Sequence, residues 1–399
     1  MVEWKKICNL GDYFGGLTGK SKKDFENGNA KFITYMNVFS NPSLDVNTVG
    51  MVHINEGERQ NKIQKGDVLF SGSSETPDEA GMSCVVTEEL DGDYYMNSFC
   101  FGLRLNNPEQ YNLHYLKHVF RSYNIRQAIT KTASGVTRFN ISKTRFGKVE
   151  IPIPSLSEQN RIVSILDTFT DSIENLKQQI AQRRKQYEFY RNQLLDLEGK
   201  EGVEMISIKS LFDTRNGYTP STKNIEFWDE GIIPWFKMED IRDNGKILND
   251  SNLHITPKAI KGKGLFKANS IILATSATIG EHALITVEHL SNQRFTNLFP
   301  KDKYIDNVNM KFVYYYMFKI DEWCKQHTHQ GGFASVDMDG FYKLDFPVPS
   351  IEEQNRIVSI LDTFEASISN LEAQLAQRQK QYEYYRNKLL SFGNGDGES

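Results

Sequence analysis

Residues 152–195 and 347–390 are nearly one sequence written twice. The offset is 195 residues without a gap, and 32 of the 44 aligned positions are identical. A self-match of this length fixes the architecture before any local reading begins. Each copy carries the signals of a helix start. Ser155 and Ser350 stand at N-cap positions, with Glu158 and Glu353 three residues on, and the prolines before them hold the entry extended. Apolar positions then step by four and three. In the first copy they run Ile162, Leu166, Phe169, Ile173, Leu176, Ile180, Arg183, Tyr187, Tyr190 and Leu194, and the second copy repeats them 195 residues later. A 3.5-residue period over about five heptads predicts a coiled-coil seam on a rod of roughly 60 Å.

The cheapest partner for each seam is the other copy; two separate surface helices on globular cores are the plainer possibility. If a pseudo-twofold axis relates the copies, the rods pair antiparallel. Setting Ile162 against Leu389 and Leu166 against Tyr385 keeps the seams facing, and a shift of one heptad is also allowed. Arg183 and Arg378 then occupy seam positions, opposite Ile368 and Ile173, with their heads at the rod edge or on a tyrosine face.

The chain therefore reads domain, rod, domain, rod. The expected fold is α+β: two mixed α/β domains separated by two long helices that form an antiparallel coiled coil, in a pseudo-twofold internal repeat. The boundaries are 1–151 for the first domain, 152–197 for the first rod and 198–203 for a linker. The second domain is 204–346, the second rod 347–392 and a disordered tail 393–399.

Within the first domain, strand-like runs are Lys31–Met36, Asp67–Ser71, Ser83–Thr87 and Phe99–Leu105, and Asn112–Lys131 reads as a helix. Gly15–Ser21 (GGLTGKS) resembles a phosphate loop but has the wrong spacing, since Phe14 holds the first glycine's place. A turn after Leu10 is expected instead. His114 and His118 lack a third ligand, so no metal site is expected there. From Gln110 to Val149 there are eight Lys or Arg and no Asp or Glu, with small polar residues in TKTASGVTRFNIS. Such a stretch is either a solvated basic face or a set of phosphate and groove contacts.

The second domain parallels the first in outline. Gly217–Ser221 matches Gly16–Lys20, Ile233–Phe236 matches Ile33–Met36, and NSIILATSATI matches GDVLFSGSS. The domains have nevertheless diverged far more than the rods. Exposed-face rod positions also match: Glu158/Glu353, Arg161/Arg356, Asp167/Asp362, Lys185/Lys380, Glu188/Glu383 and Arg191/Arg386. Two copies of one surface imply two copies of one partner, and two diverged domains imply two targets.

Net charge is −4, so charge alone does not announce a nucleic-acid binder. The four cysteines are dispersed without a CxxC pair, which fits a reducing compartment. No apolar run approaches 18 residues and no signal-peptide pattern opens the chain, so a cytoplasmic protein with no membrane partner is expected.

The repeated P-x-P-[ST]-x-x-EQ-x-x-I rod opening, the Gly-Tyr-Thr-Pro-Ser turn, the LATSATIG loop and the VTRFNIS segment resemble the specificity subunit of type I restriction–modification systems. The resemblance covers essentially the full length. It implies that each domain reads half of a bipartite double-stranded DNA site. It also implies that the rods space the halves and dock two adenine methyltransferase subunits, and that restriction subunits join the complex. This chain would hold no cofactor, with S-adenosylmethionine and ATP bound by partner subunits. The first domain departs from the pattern: Gly19-Lys20 replaces the Pro-Ser turn and SGSSETPDEAG replaces the LATSATIG type of loop.

Candidate DNA contacts are Lys20, Lys22, Lys23, Ser73, Ser74, Arg126, Lys131, Thr137, Arg138 and Lys143 in the first domain. In the second they are Tyr218, Thr219, Lys223, Ser276, Thr278 and Gln330. Candidate partner contacts are Glu158, Arg161, Glu353 and Arg356. The chain shows no Asn-Pro-Pro-aromatic motif, strand–GxG loop or helicase motif, so no catalytic residue is assigned. The rival readings are an enzyme using Gly15–Ser21 and a stand-alone DNA-binding scaffold or repressor.

Overall fold

The computed structural model describes residues 2–329 and 334–392. It divides into two compact units. One comprises Met1–Gln178 with Leu371–Ser399, the other Gln179–Asn370. Each unit thus holds one domain, the first half of its own rod and the last half of the other.

In the first unit, Glu3–Lys6 pairs antiparallel with Glu150–Ile153 at the entry to the rod. A four-stranded sheet runs Gly11–Gly15, Cys100–Leu105, Val68–Ser71, Ser83–Val85. A second sheet sets Ala30–Ile33 between Gly50–Val52 and Tyr94–Met96, the latter parallel. Its core is aromatic: Phe70 meets Phe101, Phe120 and Phe146 with ring centroids 4.9–5.4 Å apart, mostly edge to face.

The second unit repeats this topology on a different sequence. Glu204–Ser207 pairs with Asp345–Val348. The main sheet runs Phe212–Asn216, Phe295–Pro300, Ser270–Ala274, His282–Ile285, with Ile247–Leu248 added at the edge. Ile233–Phe236 lies between His254–Ile255 and a parallel Leu290–Ser291. The parallel at GDVLFSGSS falls on equivalent strands, whereas that of Ile33–Met36 with Ile233–Phe236 is out of step: the first strand ends at Ile33, where the second ends at Phe236.

The rods are continuous helices of 39 residues each, Leu156–Leu194 and Ile351–Leu389. Ser155 Oγ accepts from Glu158 N at 3.4 Å, and Ser350 Oγ from Glu353 N at 3.3 Å, as the caps require. Within each unit the rods run antiparallel. Phe169 stacks on Tyr385 at 5.2 Å, and the equivalent Phe364 stacks on Tyr190 at 5.4 Å. Tyr385 therefore meets Phe169, one seam step beyond the Leu166 that the first register supplies. The seam arginines lie on phenylalanine rather than tyrosine: Arg378 over Phe169 at 5.7 Å and Arg183 over Phe364 at 5.9 Å. Burial is complete only where a domain covers the seam, at Ile162, Leu166, Ile357 and Leu361. Ile173, Leu176, Ile368 and Leu371 are half-buried, because a helix pair alone shields only one side of its seam.

Three local readings change. The run Lys31–Met36 stays extended only to Ile33, since Thr34 Oγ1 accepts from Asn37 N and caps a helix, Tyr35–Ser40. The helix expected over Asn112–Lys131 is two, Leu113–Val119 and Tyr123–Thr130. Between them Ser122 is extended and its hydroxyl donates to Val119 O at 2.7 Å. After Leu10 the chain enters the strand Gly11–Gly15 rather than staying in a turn. The tail 393–399 lies outside the described residues.

Candidate nucleic-acid interface

The eight-cation stretch divides by the partners each side chain finds. Lys117 donates to Asp167 at 2.8 Å. The Arg121 guanidinium is spent on the carbonyls of Val38, Phe39, Asn41 and Ser83. Arg126 donates to the carbonyls of Asp78, Ala80 and Gly81. Burial pushes both arginines down to about 10, still charged at neutral pH, and the carbonyl oxygens replace lost hydration. Arg126 thus ties down the Ser73–Gly81 loop through three of its carbonyls. Lys131, Arg138, Lys143, Arg145 and Lys148 remain exposed.

Four candidates converge. Phe139–Ile141 pairs with Ser73–Ser74, so Asn140 faces Ser73 and Phe139 faces Ser74. This brings the Thr137–Arg138 turn beside the serine loop. There a 390 Å³ cavity is lined by Tyr35, Met36, Phe39, Ser73, Ser74, Glu75, Glu79, Phe99 and Arg138. Arg138 lies 5.9 Å from the Phe99 ring centroid, and Lys143 lies 5.4 Å from that of Phe101. Ser74 is buried and donates to Glu79 at 3.1 Å, so Ser73 is the more available hydroxyl of the two. Phe99 and Met36 are 56% and 59% exposed. Neither stands out in the sequence, where Phe99 opens an apolar strand-like run and Met36 closes one. Aromatic and apolar side chains beside an exposed arginine suit contacts to base edges and thymine methyls.

Lys20, Lys22 and Lys23 form a separate group. The Lys20 side chain is 6% exposed and paired with Glu58 at 2.6 Å, which with other bonds pulls the Glu58 carboxyl down to about 2. Lys20 is therefore paired within the fold. Lys22 and Lys23 are exposed on the short turn Lys22–Phe25. The amides a phosphate loop would offer already bond inward, Leu17 N to Met96 O and Thr18 N to Gln60 Oε1.

In the second unit, Ser276 bridges Ser335, and Thr328–His329 pairs with Ser335–Val336. The loop after the buried strand is again brought beside the segment that precedes the rod. Thr278 N bonds Ser276 O, and the intervening Ala277 is held at φ 65°. Thr219 is exposed and donates to Gln293, and Lys223 is exposed. Tyr218 is packed among Trp235, Ile255 and Phe266. Its hydroxyl donates to Ala259 O at 3.0 Å and accepts from Lys261 N at 2.9 Å. Both bonds tie Tyr218 to the Ala259–Lys261 segment. Gln330 lies outside the described residues.

On the rods, Glu158–Arg161 and Glu353–Arg356 are the same bidentate pair in both copies, with nitrogen–oxygen distances of 2.7–2.8 Å. All four side chains reach solvent. The other matched positions divide. Lys185, Glu188, Lys380 and Glu383 are exposed, whereas Asp167 and Asp362 turn toward their domains and bond them. Arg191 and Arg386 lie over Tyr187 and Tyr382. The Gln shared by both rod openings also points inward. Gln159 accepts from Asn112 N at 2.8 Å and Gln354 from Asn309 N at 2.9 Å. Each donates to the proline carbonyl before its rod.

Among the described residues no group of three or more His, Cys, Asp or Glu could hold a metal ion, and no helix is long and apolar enough to cross a membrane. Cys84, Cys100 and Cys324 are buried, with thiols pushed up to about 12 by burial.

Residues 1–183 and 200–379 each match the family model of the Type I restriction modification DNA specificity domain. The Escherichia coli type I restriction enzyme EcoprrI specificity subunit is 50% identical over 207 residues, 49% of this chain and 52% of that protein. The EcoR124I/EcoR124II specificity subunit, also from Escherichia coli, is 36% identical over 264 residues, 61% and 63% of the two. The chain thus spans between half and two thirds of these relatives. Among solved structures, a chain of a type I R-M system superposes with a TM-score of 0.63 at 17% identity, covering 98% of this chain and 96% of that one. The HsdS subunit from Thermoanaerobacter tengcongensis gives 0.52 at 17%, covering 98% and 97%. At such identity the superpositions speak to the fold. With two consecutive family matches covering most of its length, the chain belongs to the type I restriction modification DNA specificity domain family.

Proposed function

We propose that this protein is the non-catalytic, sequence-reading subunit of a cytoplasmic type I restriction–modification complex. Each domain reads one half of a bipartite DNA site. The rods set the gap between halves and dock two adenine methyltransferase subunits, through which restriction subunits join. S-adenosylmethionine and ATP belong to those partners. The observation that carries this reading is the asymmetry between surfaces. The exposed Glu–Arg pair is the same on both rods, while the loops gathered above the equivalent strands differ: Ser73–Gly81 carries three carboxylates where Ser276–Gly280 carries none. A repeated surface suits one partner taken twice, and unlike loops suit unlike half-sites.

The test exchanges residues 1–151 for the first domain of another family member and maps methylated adenines in the host genome. One half-site should change and the other stay. A change in both halves, or in neither, would refute the modular reading.

A further inference from the structure

The two domains have diverged in sequence, yet each ties the same place on its helix to a matched aspartate of a rod. In the first unit, Asp167 of the first rod accepts from Lys117 Nζ and His118 Nε2, both at 2.8 Å. The other ring nitrogen of His118 lies 2.9 Å from Tyr382 Oη on the second rod. His118 is fully buried, and burial pushes its pKa down to about 4, so the ring is neutral. A neutral ring donates at one nitrogen and accepts at the other; here Nε2–H goes to Asp167 and Nδ1 accepts the tyrosine proton.

In the second unit the matched Asp362 accepts from Lys311 Nζ at 2.8 Å and from the Tyr315 hydroxyl. Tyr315 also reaches Glu365 at 3.0 Å, and Glu365 accepts from Tyr187, the counterpart of Tyr382, at 3.0 Å. Counting from the capping residues Asn112 and Asn309, His118 and Tyr315 occupy the same place on their helices. Different chemistry thus ties the domain's helix to the matched rod aspartate in each unit; the link goes on to the other rod through His118 itself in the first unit, and through Glu365 of the same rod in the second.

Apolar packing could hold these helices together, since Leu166 and Leu361 beside the aspartates are fully buried. A polar bridge adds direction: it is satisfied at one angle and broken at others, whereas apolar contacts tolerate sliding. We propose that Asp167 with His118, and Asp362 with Tyr315, are positioning residues that hold each recognition domain at one angle on the rods. They thereby restrict the complex to a single gap between half-sites. The proposal rests on the reading of the rods as the spacer.

The test uses the full chain co-expressed with its methyltransferase subunit in cells lacking other adenine methylation at these sequences. Variants are Asp167→Ala, His118→Ala, His118→Tyr and Asp362→Ala. The readout is the ratio of methylation at sites with a gap one base pair longer or shorter to methylation at the parental gap. Asp167→Ala, His118→Ala and Asp362→Ala should each raise this ratio at least tenfold with half-sites unchanged. His118→Tyr, which supplies the residue the second domain uses, should leave it at the parental value. A merely structural role would lower methylation at all gaps together. An unchanged ratio in Asp167→Ala and His118→Ala overturns the proposal, as does relaxation by His118→Tyr equal to that by His118→Ala. Should Asp167→Ala abolish methylation, Asp167→Asn is read in its place, and a parental ratio there also overturns it. A lengthened rod pair separates the two layers: if it moves the gap while these variants do not, the spacer reading stands and the clamp falls.

Discussion

Gln159 is 1% exposed and Gln354 fully buried; Gln159 anchors its rod through two hydrogen bonds and Gln354 through three, the third to Asn307 O at 2.9 Å. Substituting Gln159→Ala removes the acceptor for Asn112 N and the donor to Pro154 O. A buried polar group left without a partner costs about 1–3 kcal/mol. Asn112 is only half-buried, so water can take up part of its loss, and we expect about 2–3 kcal/mol in all. For a unit near 200 residues, this shifts the midpoint by roughly 4–12 °C. Gln354→Ala should cost at least as much, because Asn309 and Pro349 stand in the same geometry and the Asn307 carbonyl also loses its donor. Thermal unfolding by scanning calorimetry tests the pair. The two sites share no partner, so each substitution should lower the transition of its own unit, with little coupling in the double variant. Gln159→Glu keeps an acceptor for Asn112 N but sets a carboxylate against the Pro154 carbonyl; it should be at least as destabilising as alanine. A shift under about 1 °C in both single variants would refute the anchoring role.

The remaining expectations are these. Replacing Lys131, Arg138 and Lys143 together by Ala should weaken DNA binding of the assembled complex and flatten its salt dependence by about one unit of slope per lost phosphate contact. Unchanged binding in a salt titration would remove the loop from the interface. Reversing charge at Arg161 and Arg356 together should lower the yield of the proposed complex with two methyltransferase subunits in native mass spectrometry while the chain stays folded. An intact complex would count against the rod face. Lowering pH should destabilise the fold between about 6.5 and 4: His118 and His289 are buried with pKa values pushed down to about 4, so the unfolded chain binds protons first in that window. Below it Asp167 adds to the loss. Burial raises its pKa, but bonds from His114, His118 and Lys117 outweigh that and hold it far below the usual range. Its contribution is present above an unfolded pKa near 4 and is lost as pH falls further. Denaturant titrations of His118→Gln should show a shallower pH slope than the parent.

The rods, their caps and their antiparallel pairing are legible in the sequence because a period of 3.5 and a 195-residue offset survive without side-chain detail. The strands Val68–Ser71 and Cys100–Leu105 are legible for the same reason, as apolar runs between turn residues. What the residues do not reveal is which cations face inward. Arg126 and Arg138 look alike in sequence, yet one is spent on carbonyls and the other is exposed. Nor does the repeat reveal the His118 and Tyr315 bridges, since the equivalent residues differ and only their helical positions agree. Exposed-face identity in the rods is likewise ambiguous: Glu158–Arg161 reaches solvent, whereas Asp167 bonds the domain.

Each domain packs on the start of one rod and the end of the other, so a longer spacer requires both rods to lengthen at mid-length. Four helix-forming residues inserted after Gln178 and after Asn370 add about 6 Å to each helix and keep the seams close to their period. At about 3.4 Å per base pair this corresponds to one or two more base pairs between half-sites. The added rotation of about 40° is close to the 34–36° that one base pair turns the duplex. Mapping methylated adenines in cells carrying the parent or the insertion variant measures this directly. We expect the same two half-sites, separated by a gap longer by one or two base pairs. The original gap, or altered half-sites at any gap, would contradict the reading of these rods as the spacer.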